Sequence, residues 1–335
     1  MAVLTIEEAR ALVVRAFAVS YVSPENAVKV ADALIAAQVD GQGGHGLSRV
    51  ASYAAQAASG KVDGHAVPQI SRPTPSLLHV DAQYGFAFPA LSLLINELPE
   101  IARKDGIAAG YVYRSHHCGQ LGAHVEKLAT AGVVALMVAN SPPAMAPWGG
   151  STALFGTNPI AFAAPRADGP PLVIDLSLSR VARGKVMAAA KSGEKIPEGW
   201  ALDADGQPTT NATDALKGTM LPMGDAKGAA LALIVEILCA TLTGANPSYQ
   251  ATSFFEAEGA PPGVGQTIIA FSPDAAAPGF SERLEGLLQT IMAQDGTRLP
   301  GVSRQQKRSA AVAHGIDLPD HLLAEINDII ESSNG

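Results

Sequence analysis

His45 and Arg49 stand four positions apart in the stretch Asp40-Gly-Gln-Gly-Gly-His-Gly-Leu-Ser-Arg49. An imidazole, with an ordinary pKa of about 6.5, can hand over a proton near neutrality, and a guanidinium grips a carboxylate through paired hydrogen bonds. If a helix begins near His45, both side chains lie on one face and the preceding glycines leave its N-terminus open to an anion. Such a pair would hold a small carboxylate and protonate the group beside it. Two surface side chains that happen to lie one turn apart would look the same. Further along, Ser115-His116-His117-Cys118-Gly119 puts polar donors at the end of an apolar run. Zinc would need a third ligand at suitable spacing, which is missing, so a neutral imidazole facing a cofactor carboxamide or phosphate is the better chemistry. Asp225, Lys227 and Gly228 precede an apolar helix, and Arg304-Gln-Gln-Lys307-Arg308 is the one cationic cluster able to neutralise a phosphate. It is equally the solvated start of a helix. Asp203, Asp205 and Gly206 suggest calcium only superficially, for the closing glutamate and the rest of the ligand set are absent.

Positioning these groups falls to alternating helices and strands. Thr5 with Glu7 and Glu8 predicts a capped helix over 9–18, and Ser23-Pro24-Glu25 opens a second through residue 39. Helical periodicity resumes over 50–58. Residues 61–85 read as a connection with short strands, 77–80 the clearest. A helix over 85–104, a strand over 107–113 that runs into the histidine pair, a helix over 121–131 and a strand over 133–139 follow. Residues 140–185 then pack Pro147-Trp148-Gly149-Gly150, Gly156-Thr157-Asn158-Pro159 and Asp175-Leu176-Ser177 between apolar runs at 160–164 and 172–174. These are either ordinary tight turns or the wall of a ligand site. Helices over 187–191, 229–242 and 280–293, a buried strand over 267–271 and a last helical region from Arg304 complete the chain.

Composition bounds the answer. A chain of 335 residues, 47% hydrophobic and 16% charged, can bury an ample core. A net charge of -8 and no basic stripe exclude nucleic acid as the expected partner. Two distant cysteines, Cys118 and Cys239, suit a reducing cytoplasm, and the acidic N-terminal stretch is unlike a signal peptide. The apolar run at 229–238 is broken by Glu236 and too short to span a bilayer. No Gly-x-Gly-x-x-Gly follows a strand and no Walker loop or nucleophile elbow occurs, so the ordinary Rossmann fingerprint is missing.

HGLSR, SHHCG, APWGG, FGTNPIAF, DLSLSRVARGK, IPEGWALDADGQPTT, LPMGDAKG and RLPG occur in one order along the chain. Taken together over residues 3–325, they resemble the type-2 malate/L-lactate dehydrogenase family of NAD(P)H-dependent oxidoreductases. SHHCG, the proline-rich APWGG segment and RLPG are most similar to the Δ1-piperideine-2-carboxylate/Δ1-pyrroline-2-carboxylate reductases, which reduce a cyclic C=N bond. The resemblance implies an α/β (α+β), non-Rossmann fold with a mixed, largely antiparallel sheet. It implies a helical part from both chain ends (1–75 and 281–335) carrying the catalytic pair, and a nucleotide-binding part at 76–280. It also implies a homodimer and no metal. By position, His45 would be the general acid with Lys185 as the second catalytic residue, and Arg49 and Thr157 would bind substrate. His117, Gly119, Asp175, Leu176, Ser177, Asp225, Lys227, Gly228, Arg304 and Arg308 would line NADPH, with NADH a possible substitute. Two positions depart from the pattern: Gly44 replaces the usual serine before the histidine, and Lys185 stands where the imine reductases carry the aspartate of a Ser-His-Asp relay. Lys185 is usual in the 2-hydroxy-acid branch, so either water reloads His45 or the substrate is a 2-oxo acid of the malate, lactate, sulfolactate or ureidoglycolate type. A non-catalytic relative that kept the fold is the remaining reading, and joint retention of His45, Arg49 and Thr157 speaks against it.

Overall fold

The computed structural model describes residues 2–332; Met1 and 333–335, the outermost parts of the expected helical segments, lie outside the described residues. In chain order the elements are β1 (Ala2–Leu4), α1 (Ile6–Ala18), α2 (Pro24–Val39), α3 (Val50–Ala58), β2 (Gln69–Thr74), β3 (Leu77–Asp81), α4 (Ala87–Asp105), β4 (Ile107–Ser115), α5 (Leu121–Thr130), β5 (Val134–Ala139), β6 (Ile160–Ala164) and β7 (Leu172–Leu176). They continue with α6 (Arg183–Ser192), β8 (Ala201–Leu202), β9 (Pro208–Thr209), α7 (Ala212–Lys217), β10 (Thr219–Met220), α8 (Ala226–Glu236), β11 (Val264–Phe271), α9 (Pro273–Ala276), α10 (Phe280–Met292), α11 (Val302–His314), β12 (Ile316–Leu318) and α12 (Asp320–Ser332). Thr5 and Glu8 cap α1 reciprocally, and Ser23 caps α2 ahead of Pro24, as those residue types dictate.

The central sheet has seven strands in the order β2-β3-β4-β11-β5-β6-β7. Among its described pairs only β3 with β4 is parallel, so the sheet is mixed and mostly antiparallel. β11 lies in the middle and is buried on both faces, which explains its near-continuous apolar run. One core joins this sheet to α4 and α5 through Leu91, Leu94, Leu98, Val125, Leu128, Met137 and Ile268. A second joins α1, α2, α3 and α12 through Phe17, Leu34, Tyr53, Ile326 and Ile330, and draws in Phe86 and Phe88 from the start of α4. A third, around Met145, Leu178, Ile196, Met220 and Val235, lies under the small β10-β8-β9 sheet.

Several expectations are corrected. α3 runs over Val50–Ala58, as its periodicity marks, but the helix does not reach back to His45: Gly43–His45 and Leu47–Arg49 are two single 3-10 turns split by Gly46. Glycines on both sides of the histidine do not sustain helix, so His45 and Arg49 share no helical face. The helix expected over 229–242 starts earlier and widens at Ile237–Thr241 into a turn with i to i+5 bonding. The β1–β12 pair, which clips the two chain ends together, and the small sheet that joins β8 and β9 of the expected loop at 196–210 to β10 have no counterpart in the sequence pattern.

Candidate active site

One end of the central sheet gathers the chemistry. Register puts Ser115 opposite Val264, Ala139 opposite Gln266, and Ile160 opposite both Val138 and Leu176. The end of β4, the start of β11, the end of β5, the start of β6 and the end of β7 therefore lie side by side. Asn140 locks this edge: its Oδ1 accepts from the Gly265 N–H at 2.8 Å while its Nδ2 donates to the Asn246 carbonyl at 2.9 Å. The Gln266 amide donates to the His116 carbonyl at 3.1 Å, fixing the histidine turn against the central strand.

Against this edge the 43–49 turns bring His45. Its ring stacks on His117 with centroids 5.2 Å apart and planes 29° apart. His45 Nδ1 is buried and has no hydrogen-bond partner among the described residues. Desolvation, and secondarily the positive charge of Arg49, lower the His45 pKa to about 4. Arg49 is 8% exposed; its Nε donates to the Gly44 carbonyl at 2.7 Å, and its NH1 is buried and unpartnered. The carbonyl between the glycines thus orients the guanidinium, in place of the expected helix face. Tyr53, one turn further on α3 and fully buried, bonds His117 Nδ1 through its hydroxyl. Burial and Arg49 hold His117 well below the usual imidazole range. His116 points the other way, its Nε2 2.7 Å from Gln56 Oε1, and burial lowers it to about 3.

Thr157 sits in the turn just ahead of β6, partly buried; its N–H donates to Ser141 Oγ at 3.2 Å and its carbonyl accepts from Leu178 N–H at 2.8 Å. Asn158 beside it adopts a left-handed φ of 40°. That conformation is held by its side-chain amide, which donates to the Ala232 carbonyl at 2.9 Å and to buried Glu236 at 3.0 Å. Glu236, a bare interruption in an apolar run of the sequence, is the post that holds this turn.

On the far side, Asp175 Oδ2 accepts from Gly122 N–H at 2.7 Å in the first turn of α5. A methyl group at 122 would come within 2.5 Å of Arg304 NH1 and 2.9 Å of Asp175 Oδ2, so a side chain there would have to displace both. Gly119 turns the chain into α5 with φ 67°, Leu176 is exposed, and Ser177 Oγ lies 3.2 Å from Ser179 Oγ. Arg308 is engaged on two sides: Nε donates to Asp40 Oδ1 at 2.7 Å and NH2 to Glu126 Oε2 at 2.8 Å. Arg304 stands 3.7 Å from Asp40 and 3.9 Å from Glu126 without a hydrogen bond, and its buried Nε and NH2 remain unpartnered. Of the expected cationic pair, Arg308 is hydrogen-bonded to both carboxylates and Arg304 only ion-paired with them. Asp225, at φ 58°, pairs with Arg180 at 2.7 Å, Lys227 is exposed, and Gly228 has no room for a side chain beneath the Met223 carbonyl. Lys185 is exposed on the first turn of α6, and none of the contacts described for His45 involves it. Among the described residues no group of three or more His, Cys, Asp or Glu side chains is arranged to hold a metal ion. No described helix is long and apolar enough to cross a membrane.

A mixed α/β fold with a histidine and a guanidinium at a sheet end belongs, by comparison, to the oxidoreductases. Residues 4–327 match the malate/L-lactate dehydrogenase family model, and the chain belongs to that family. It is 48% identical over 323 residues, 96% of each chain, to (2R)-3-sulfolactate dehydrogenase (NADP(+)) of Chromohalobacter salexigens. It is 41% identical over 300 residues, 88% of this chain and 87% of the other, to the Δ1-pyrroline-2-carboxylate/Δ1-piperideine-2-carboxylate reductase of Pseudomonas putida. The crystal structure of Δ1-piperideine-2-carboxylate reductase from Pseudomonas syringae superposes with a TM-score of 0.93 at 39% identity, covering 98% of this chain and all of that one.

Proposed function

We propose that this chain reduces the C=N bond of cyclic imino acids, Δ1-piperideine-2-carboxylate and Δ1-pyrroline-2-carboxylate, to L-pipecolate and L-proline. The observation that carries the reading is Arg49: a buried guanidinium with an unpartnered NH1, beside a histidine whose Nδ1 is also unpartnered. Buried donors left without partners are costly, and a carboxylate bound beside them relieves that cost. Arg49 then fixes the substrate carboxylate, Thr157 borders it from the strand edge, and His45 delivers the proton that the reduced nitrogen needs. The residues suit NADPH, with NADH able to substitute. Arg304 Nε and NH2 are buried and make no hydrogen bond, only longer ion pairs to Asp40 and Glu126, and Arg304 NH1 lies beside Gly122 and Asp175. NADPH, when bound, supplies the hydride. Asp175, Leu176, Ser177, Gly119 and His117 would line it, with Asp225 to Gly228 as a further border. In this reading residues 76–280 form the nucleotide-binding part and 1–75 with 281–335 the helical part, in a cytoplasmic homodimer. The dimer is supported by the exposed apolar side chains Leu233, Ile234, Ile237 and Leu242 on and just after α8.

A second reading, reduction of an open-chain 2-oxo acid such as 3-sulfopyruvate, is favoured by Gly44, by Lys185 and by the 48% identity to a sulfolactate dehydrogenase. Loss of NADPH absorbance, followed in parallel with both cyclic imines, 3-sulfopyruvate, oxaloacetate and pyruvate, separates the two. Turnover confined to open-chain acids overturns the imine reading. No turnover of any carboxylate overturns both.

A further inference from the structure

Residues 253–257 reach the site from almost two hundred positions away in the chain. Lys61, only 2% exposed, donates from Nζ to the carbonyls of Ser253 at 2.8 Å and Glu256 at 2.9 Å. Ser59 Oγ donates to the Ala257 carbonyl at 2.6 Å. Two aromatic rings are thereby set against the site, Phe254 turned inward and Phe255 still 44% exposed. Phe254 is buried against His116 and His117, with centroids 5.2 and 5.0 Å away. Phe255 lies under the guanidinium of Arg49, whose Cζ is 4.3 Å from the ring centroid. A loop held together only by its own turns would not need a desolvated ammonium spent on two of its carbonyls; charged donors are buried where a backbone has to be kept in one place.

Arg49 is consequently restrained in three ways: Nε by the Gly44 carbonyl, one face by Phe255, and NH1 by burial. A guanidinium binds a carboxylate in its own plane, so whatever sets the plane of Arg49 sets the plane of the bound acid. We propose that Phe255 is a positioning residue that aligns Arg49 for the substrate carboxylate, and that Lys61 and Ser59 in turn hold Phe255 beneath it. The inference rests on the carboxylate role given to Arg49 above. Phe255 itself contacts Arg49 and acts on ground-state orientation, so it governs KM for the acid more than KM for NADPH.

The test is steady-state kinetics of the full-length enzyme with whichever acid the wild type turns over, using Phe255→Ala, Phe255→Tyr, Lys61→Met, Lys61→Arg and Ser59→Ala, with Arg49→Lys as reference. Removing the cation–π contact in Phe255→Ala raises KM for the acid about threefold to thirtyfold, with kcat changed less. Phe255→Tyr restores it. Lys61→Met reproduces the shift and Lys61→Arg, which can still reach two carbonyls, restores most of it. If Lys61→Met fails to fold, Ser59→Ala loosens the same loop and shifts KM in the same direction. Wild-type KM in Phe255→Ala, or equal rises in KM for acid and NADPH, overturns the proposal. An unchanged KM in Arg49→Lys would instead overturn the carboxylate role on which it rests.

Discussion

His45 is set to be unprotonated until substrate arrives, and this can be measured. Its pKa is lowered to about 4, first by desolvation and then by Arg49. At about pH 7, roughly one free molecule in a thousand therefore carries the proton. A carboxylate on Arg49 cancels the second cause and adds its own attraction, so binding raises the pKa and draws a proton from solution. The first cause persists in Arg49→Met, which lifts the pKa only part of the way towards its ordinary value of about 6.5. Reduction needs protonated His45, so kcat/KM in that direction falls as pH rises above about 4. Oxidation needs the neutral ring, so its kcat/KM rises through about pH 4 and is then level.

Three measurements bear on this. NMR titration of the free protein, with His45→Gln for assignment, should place His45 well below the ordinary histidine range and show an upward move in Arg49→Met. Calorimetry with pyrrole-2-carboxylate, a planar carboxylate, in buffers of different ionisation enthalpy at about pH 6 should show net proton uptake that disappears in His45→Gln. An ordinary titration in the free protein refutes the electrostatic account. Undiminished uptake in His45→Gln would move the proton to another group, His117 being the neighbour in stacking contact.

Three further outcomes follow from the packing. His116 and His124 are buried, with pKa values lowered to about 3 and about 4. The unfolded chain binds their protons first as pH falls below about 6.5, so each removes about 1.4 kcal/mol of stability per pH unit down to its folded value; a level urea midpoint between about pH 6.5 and 4.5 would contradict this. Asp40, whose side chain is fully buried, accepts from Arg308 and Gln120, and Asp40→Asn should cost about 1.5–3 kcal/mol in urea unfolding because a buried charged acceptor is lost while Glu126 still compensates Arg308. A methyl group added at Gly44 would meet no atom within 4 Å, and the backbone there has no left-handed φ, so Gly44→Ser should fold with an unchanged melting temperature; a loss above about 1 kcal/mol would show that glycine is structurally required there.

What was legible in the chain was what short-range chemistry governs. The Thr5–Glu8 box and the Ser23-Pro24 start mark their helices, and β6 occupies the residues its apolar run marks. The histidine turn after β4 was visible because a strand ending in polar residues and glycine has few other uses. Long-range contacts left no such trace. Tyr53 gives no sign in sequence that it will reach His117, although it follows Arg49 by the same spacing that separates Arg49 from His45. Phe254 and Phe255 stand out only as adjacent rings in a chain with nine phenylalanines, and Lys61 only as one lysine among many cations. The cluster at 304–308 was recognisable as positive charge, but Asp40 and Glu126, which engage Arg308, lie 268 and 182 positions away. Charge is a property of a residue; whether it is free is a property of the fold.

The two departures from the family pattern bear on the same point. A serine before the histidine and an aspartate at 185 would together keep a proton supply permanently connected to the ring. This chain has a glycine at 44 with open space beside it, and an exposed lysine at 185. On the proposed roles, Arg49 takes over the control of protonation: empty, its charge helps keep His45 neutral; occupied by a carboxylate, it releases that restraint. Substrate binding and proton delivery are then one coupled event, and the coupling weakens with anything that tilts Arg49 away from the bound acid. Phe255 and the Gly44 carbonyl fix that tilt. It follows that a substrate bringing a second negative charge near His45 would raise its pKa further than a singly charged imine, and would sustain reduction to higher pH. The pH at which kcat for reduction falls is therefore a measure of substrate class: a limb displaced upward with 3-sulfopyruvate relative to the cyclic imines would mark the doubly charged acid as the better match to this site.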